Sequence, residues 1–154
     1  YEIGINDTAG KVFDTLAEMG GKQILDTLEK AEKGELHPIK QDDSKSSYAK
    51  MLDKSMCNID FSKTNLQVHN QVRGLSPWPV ASTKLNGKVL KIFETRLTEG
   101  KGKPGEILNI NPLTIACGEG AVVVNTVQLQ GKKKMDSKAF LQGHKLEKGT
   151  VIGE

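Results

Sequence analysis

The segment Pro77-Trp78-Pro79 constrains the fold of this chain more than any other part of its sequence. Each proline fixes its own φ and disfavours helical geometry in the residue before it. Apolar residues just upstream recur at a nearly helical period, at Leu66, Val68 and Val72. The sequence therefore predicts a short helix from about Ser62, its N-cap, to Arg73, ended by Gly74. A stiff extended segment with the chain's only tryptophan should follow.

Downstream of this segment, apolar residues recur every second position in short runs separated by turn residues. Asn86-Gly87 is a strong hairpin motif between two of these runs. The predicted strands are 81–85, 88–97, 106–110, 113–117 and 121–129, and a short helix is predicted at 136–141. Five short strands preceded by one helix predict an α+β unit, a small closed or half-open antiparallel β-barrel, which we assign to the oligonucleotide-binding type.

The first third of the chain has a different character. Helical spacing of apolar residues predicts two short helices, at 8–19 and 22–32, broken by Gly20-Gly21. Two such helices cannot bury their apolar stripes on each other alone, so we expect a larger body upstream. The polar, turn-rich stretch 37–58 is predicted to be a linker, with Tyr48 and Met51 packed down.

The net charge of +3 conceals an asymmetry between the two parts of the chain. Residues 1–60 carry 8 Lys and 12 Asp or Glu, whereas residues 61–154 carry 12 Lys, 2 Arg and 7 Asp or Glu. The first part is therefore acidic, at −4, and the second is basic, at +7. A basic unit of this kind is typical of proteins that bind a polyanion, although ordinary solubility charge is the alternative.

Eight lysines of the basic part fall in or beside the predicted hairpins and loops. They are Lys84, Lys88, Lys91, Lys101, Lys103, Lys132, Lys133 and Lys134. Lysine contacts with phosphate give sequence-independent affinity that falls with salt. Because Phe93 and Trp78 are the only aromatic residues near this surface, we expect contact with the backbone of a structured RNA rather than base stacking. A solvated lysine-rich rim remains the alternative for each lysine.

The sequence offers no catalytic set and no metal site. It contains no Gly-x-Ser-x-Gly motif and no P-loop, and Cys57 and Cys117 lie far apart, without histidines at metal spacing. Gly118-Glu119-Gly120 is predicted to be a hairpin turn, because a dinucleotide fingerprint needs a helix after it. His69 is predicted to be either hydrogen-bonded within the fold or solvent-facing.

No apolar run approaches the roughly 20 residues that cross a membrane, and the chain starts without a secretory leader. We therefore expect a cytoplasmic protein with free thiols and no membrane partner.

Several motifs, in order along the chain, resemble methionyl-tRNA formyltransferase. They are 7–10 with 16–20, Ile59-Asp60-Phe61-Ser62, the run 72–83, Ala116-Cys117-Gly118-Glu119-Gly120, and the Gln-x-x-Gly-Lys-Lys-x-Met pattern at 128–135. Phe61 stands where the family usually has tryptophan, and we expect its packing role to survive. The resemblance covers nearly the whole chain.

This resemblance implies transfer of a formyl group from 10-formyltetrahydrofolate to the methionine amino group of initiator tRNA. It implies that residues 1–36 are the tail of the catalytic domain, 37–58 the linker, and 59–154 a tRNA-binding β-barrel domain. The family's catalytic residues and its folate site lie upstream, so none is assigned here, and the fragment alone is expected to be inactive. The resemblance also implies a monomer.

A structural junction is predicted around Arg73, Pro77, Trp78 and Pro79. Arg73 is predicted to cap the helix C-terminus or pair with an acid, and Trp78 to fill the space between helix and barrel. Direct RNA contact is the alternative for both residues. Two other functions stay open: the C-terminal part of a sugar-nucleotide formyltransferase, and a stand-alone RNA-binding barrel.

Overall fold

The computed structural model describes residues 1–153, and the predicted α+β class is confirmed. The helices are α1 (Ala9–Glu32), α2 (Asn65–Gly74) and α3 (Ser137–Gly143), with single 3₁₀ turns at Asp43–Lys45 and Lys54–Cys57. The strands are β1 (Ser82–Leu85), β2 (Lys88–Thr98), β3 (Ile107–Ile110), β4 (Leu113–Ala116), β5 (Ala121–Leu129) and β6 (Met135–Asp136). Within residues 1–153, no helix has the length and apolar character needed to cross a membrane.

The strands form one curled antiparallel sheet, a half-barrel in the order β1-β2-β5-β4-β3, with β6 paired to β5. Residues 149–153 reach from one edge strand to the other. Ile107 N of β3 donates to Thr150 O at 2.8 Å, and Gly153 N donates to Lys84 O of β1 at 3.0 Å. This segment therefore joins the two edges of the sheet through the main chain.

The hydrophobic core lies between the concave face of the sheet and α2. Val68 and Val72 of α2 are fully buried, as are Leu90 and Ile92 of β2. Each such side chain stabilises the fold by roughly 1.5–3 kcal/mol relative to its exposed state. Phe61 is also buried within this core, as expected for a large aromatic residue at that position.

The hairpin predicted at Asn86-Gly87 is confirmed. These two residues join β1 to β2 and have positive φ values of 50° and 74°. Two consecutive positive φ values are typical of a type I′ turn, whose twist matches that of paired strands. Gly118-Glu119-Gly120 likewise forms the predicted turn between β4 and β5.

Helix α2 begins later than predicted. Thr64, rather than Ser62, is the N-cap, and its side chain forms a capping box with Gln67. Ser62 instead donates from its amide and hydroxyl to the Asp60 carboxylate. The pattern Thr-x-x-Gln satisfies two free helix amides together, which a lone serine cannot do. At the other end, Gly74 is still helical and Leu75 is the C-cap.

The segment Pro77-Trp78-Pro79 is a turn and not an extended stretch. Val80 N donates to Leu75 O at 2.9 Å, and the Ser76-Pro77 and Trp78-Pro79 bonds are cis. Because the chain reverses here, Pro79 and Val80 enter the interior while Trp78 stays 60% exposed. The prediction that Trp78 fills the space between helix and barrel is therefore wrong.

The two short helices predicted before residue 33 are one helix, α1, of 24 residues. Glycine inside an exposed helix costs only about 1 kcal/mol relative to alanine, so Gly20-Gly21 does not interrupt it. None of the residues of α1 is buried, and its apolar side chains, including Phe13 and Leu16, face outward. The linker also differs from expectation, because Tyr48 and Met51 are 88% and 85% exposed.

Gly118 should be the least replaceable residue of the β4–β5 turn. A Cβ atom there would lie 1.9 Å from Ser62 O, a main-chain atom that cannot move alone. We expect Gly118→Ala to lower the free energy of unfolding by about 2 kcal/mol and the melting temperature by roughly 4–8 °C. Gly20→Ala is the matched control, since no atom lies within 4 Å of its added Cβ. Similar melting temperatures for the two variants would contradict this account.

Cys117 should be chemically inert in the folded protein. The thiol is buried beside the core, and this burial raises its pKa to about 11. At pH 8 only about one molecule in a thousand would then carry the reactive thiolate. We expect a chain with Cys57→Ser to react with dithionitrobenzoate only after denaturation, or as the pH approaches 11. Rapid labelling of that folded variant at pH 8 would contradict the burial of Cys117.

Candidate nucleic-acid interface

Three predicted lysines lie on the β1–β2 hairpin. Lys84 pairs with Val89 across the hairpin, and Lys91 pairs with Ser82 on one side and Gln128 of β5 on the other. Strand residues alternate between faces, and the neighbouring Leu85, Leu90 and Ile92 point into the core. Lys84 and Lys91 therefore project from the outer face. Lys88 begins β2 and is exposed at the tip of the hairpin, although it alternates with Leu90 and Ile92 rather than with Lys91.

The turn between β5 and β6 brings three more lysines to the same end of the sheet. Gln130 N donates to Val89 O at 2.8 Å, which joins this turn to the β1–β2 hairpin. The Gln128 amide donates to Lys132 O at 2.8 Å and so holds the start of the lysine run beside Lys91. A cleft of about 310 Å³ lies where β2 meets the end of β5, lined by Val89, Lys91, Gln128, Leu129, Gln130 and Gly131. We call the surface formed by Lys84, Lys88, Lys91, Lys132, Lys133 and Lys134 the lysine face.

Phe93 supports one of these lysines. The ammonium group of Lys134 lies 4.4 Å from the centre of the Phe93 ring, a cation–π contact. The ring is half-buried and covered by this cation, so it offers no open platform for a nucleic-acid base. Binding of this surface through charge rather than base stacking stays a prediction.

Lys101 and Lys103 lie away from the lysine face. They occupy the β2–β3 loop, beyond the end of β2 at Thr98. Strand rise places Thr98 about 23 Å from Lys91, so these two lysines are at the opposite end of the sheet. Their loop is anchored locally, since Lys103 N donates to the Glu106 carboxylate at 2.8 Å. The structure thus brings together six of the eight predicted lysines.

Among the described residues, no ion pair neutralises the charges of the lysine face. Within residues 1–153, the ion pairs shorter than 4.0 Å are Lys11–Asp7 and Lys45–Asp42, both in the first third of the chain. The carboxylate of Glu94, on the same strand as Lys91, accepts bonds from Thr126 and Asn125 instead. Six exposed ammonium groups therefore remain available to phosphate oxygens.

Arg73 has a different role from the one predicted. Its Nη1 donates to Gly4 O at 3.1 Å and Asp7 O at 3.2 Å, and its Nε donates to Asn70 Oδ1 at 2.8 Å. The residue is therefore structural, but it binds the main chain before α1 rather than an acid or the end of its own helix.

His69, one helical turn before Arg73, is buried and satisfied. Its Nε2 lies 2.8 Å from Ile5 O and its Nδ1 lies 2.9 Å from Thr95 Oγ1. This joint role is not predicted from the sequence, although the spacing of four residues places both side chains on one face of α2.

Neither catalytic nor metal chemistry is indicated by the described residues. In that part of the chain, no three His, Cys, Asp or Glu side chains approach closely enough to hold a metal ion. What the geometry offers is a charged surface suited to a polyanion.

Comparison with known proteins places the chain among formyltransferases. The sequence profile of the formyl transferase C-terminal domain matches residues 51–145. A methionyl-tRNA formyltransferase of Lachnospira eligens is 43% identical over 99% of this chain and 51% of its own length. That of Clostridium novyi is 43% identical over 98% of this chain and 51% of its own length. The chain spans about half the length of the curated relatives it matches.

Solved structures share the fold. HypX from Aquifex aeolicus, in a variant form, has a TM-score of 0.70 at 22% identity, over 98% of this chain and 31% of that one. An N-formyltransferase from Helicobacter canadensis, in complex with folinic acid and dTDP-3-aminofucose, has a TM-score of 0.60 at 21% identity, over 88% of this chain and 48% of that one. With the profile match and the relatives at 43% identity, these findings confirm the resemblance: the chain belongs to the formyl transferase C-terminal domain family.

Proposed function

We propose that this chain is the C-terminal part of a methionyl-tRNA formyltransferase and that its lysine face binds initiator tRNA. The observation that carries the proposal is the convergence on one end of the sheet of six lysines that form no ion pair within residues 1–153. The chain's relatives at 43% identity bear that enzyme's name. Phosphate contacts from such a surface provide affinity without reading base sequence.

In this proposal the module binds and orients the tRNA, and the chemistry takes place upstream. The complete enzyme transfers the formyl group of 10-formyltetrahydrofolate to the methionine amino group on the tRNA. We assign no catalytic or folate-binding residue to this chain. By holding the tRNA, the module makes the reaction between the acceptor end and the active site nearly intramolecular. This removes much of the entropic barrier to transfer.

The domain boundaries follow the same proposal. Residues 1–36 are the tail of the formyltransferase domain, 37–58 the linker and 59–154 the tRNA-binding domain, a barrel of the oligonucleotide-binding type. The outward apolar face of α1, which includes Phe13, Leu16 and Leu28, would be covered by the upstream domain. We propose a cytoplasmic enzyme that acts as a monomer.

A sugar-nucleotide formyltransferase is the second candidate, since the Helicobacter canadensis structure was solved with a sugar nucleotide. That neighbour is 21% identical, whereas relatives named for methionyl-tRNA reach 43%. The charge of +7 over residues 61–154 also favours a polyanion. A stand-alone RNA-binding barrel is disfavoured by the uncovered apolar face of α1.

A pair of matched double variants in the complete enzyme tests the lysine face. We expect Lys91→Ala with Lys132→Ala to weaken initiator tRNA binding and to reduce the slope of log affinity against log salt by about 2, roughly one unit per lost phosphate contact. Lys101→Ala with Lys103→Ala removes the same charge at the far end of the sheet and should change the slope by less than one unit. Binding is measured by filter retention across a salt series.

The outcomes separate the candidates. If the salt slope of the first variant were unchanged, the lysine face would not belong to the tRNA site. If both variants lost the same tRNA affinity, the site would extend to Lys101 and Lys103. Absence of tRNA binding by the unaltered enzyme, together with formylation of a dTDP-amino sugar, would replace the proposal with the second candidate.

A further inference from the structure

Two side chains of α2 bind the chain segment that precedes α1. They are His69, which bonds to Ile5 O, and Arg73, which bonds to Gly4 O and Asp7 O. We call these three contacts the latch. Each of them ends on a carbonyl oxygen, so the latch binds the main chain of the segment rather than its side chains.

The latch is connected to the lysine face through the protein interior. A carbonyl oxygen only accepts hydrogen bonds, so Nε2 of His69 carries the proton that bonds to Ile5 O. In the neutral ring Nδ1 then accepts from the hydroxyl of Thr95, which lies on β2, the strand of Lys88 and Lys91. His69 and Thr95 are 2% and 3% exposed. Two consecutive hydrogen bonds therefore run from β2, the strand of Lys88 and Lys91, to Ile5.

The segment is shaped to meet Arg73. The Asp7 carboxylate accepts from Gly4 N at 2.9 Å and from the Tyr1 hydroxyl, and it pairs with Lys11. The hydrogen bond from Lys11, followed by that from Tyr1, holds the pKa of Asp7 well below its usual range, so the carboxylate stays charged. Asp7 N also donates to Gly4 O at 3.0 Å, which closes a turn. Both carbonyls that Arg73 binds belong to this turn.

A main-chain hydrogen bond beside the latch extends the contact into α1. Gly10 N donates to Ser76 O at 3.0 Å, and a Cβ on Gly10 would lie 2.7 Å from Pro77 Cδ. The first turn of α1 therefore lies directly on the turn that follows α2. Together these contacts fix the segment over the second half of α2 and the turn that follows it.

We propose that His69 and Arg73 are positioning residues, which set the direction of the chain upstream of Gly4 relative to the lysine face. This inference rests on the proposed function. Transfer requires the acceptor end of a tRNA bound at the lysine face to meet an active site built upstream. A misplacement of about 1 Å can cost roughly 100-fold in rate, so the latch would act on turnover rather than on tRNA affinity.

The experiment compares two substrates of the complete enzyme. Full-length initiator methionyl-tRNA reaches the lysine face, whereas a methionyl tetranucleotide with the sequence of the tRNA 3′ end does not. In His69→Phe and in Arg73→Gln we expect kcat for the tRNA to fall about 10- to 100-fold. The kcat for the tetranucleotide and the Kd of the tRNA should change by less than about twofold, because neither depends on the latch.

Conservative and charge-matched variants complete the design. His69→Gln keeps both a donor and an acceptor and should recover most of the activity on tRNA. Arg96→Gln controls for the lost charge, since Arg96 is an exposed residue of β2 whose side chain donates no hydrogen bond within residues 1–153. Melting temperatures identify any variant that fails to fold.

If kcat fell equally for the tRNA and the tetranucleotide, the latch would be a general structural contact and not a positioning device. An unchanged kcat on tRNA would overturn the proposal. Failure of the unaltered enzyme to formylate tRNA would instead refute the proposed function. Hydrogen exchange at residues 4–8 remains decisive in that case. We expect at least tenfold faster exchange in His69→Phe, and unchanged exchange would show that His69 does not hold the segment.

Discussion

Strands β2 and β5 pair from Leu90 opposite Leu129 to Thr98 opposite Ala121, and the rest of the module depends on this register. A shift by one residue would turn every side chain of a strand to the opposite face. Leu90 and Ile92 would then leave the core, and Lys91 would enter it. The same pairing therefore determines the hydrophobic interior and the position of the lysine face. The loop with Lys101 lies at the far end of the sheet because β2, which separates it from the first hairpin, is 11 residues long.

Local patterns predicted the local elements of this module well. The two-residue apolar period and Asn86-Gly87 gave the strands and the first hairpin, because strand alternation and a type I′ turn are properties of adjacent residues. The N-cap of α2 is Thr64 and not Ser62. The sequence distinguishes the two, because Thr64 has a glutamine three residues later, at Gln67, and Ser62 does not. Gly20-Gly21 does not end α1, because the helical cost of two exposed glycines is modest.

Features that depend on distant residues were not predictable in this way. The exposure of Trp78 follows from a chain reversal closed between Leu75 and Val80, and the neighbouring prolines alone were compatible with an extended path. The grouping of lysines beside Gln128 required the strand order. Arg73 donates to the carbonyl oxygens of Gly4 and Asp7. Every residue has a carbonyl oxygen, so the sequence does not indicate which one a side chain binds.

The segment at 149–153 has a consequence for biosynthesis. It joins β3 to β1, and its last contact, between Gly153 and Lys84, pairs residues far apart in the chain. Non-local contacts of this kind form late, because loop closure must precede them. On the ribosome, the edges of the sheet stay open until these residues emerge from the exit tunnel. A nascent chain thus exposes the unpaired edges of β1 and β3, which are prone to pair with other chains. Both edges are covered only after synthesis has passed Gly153.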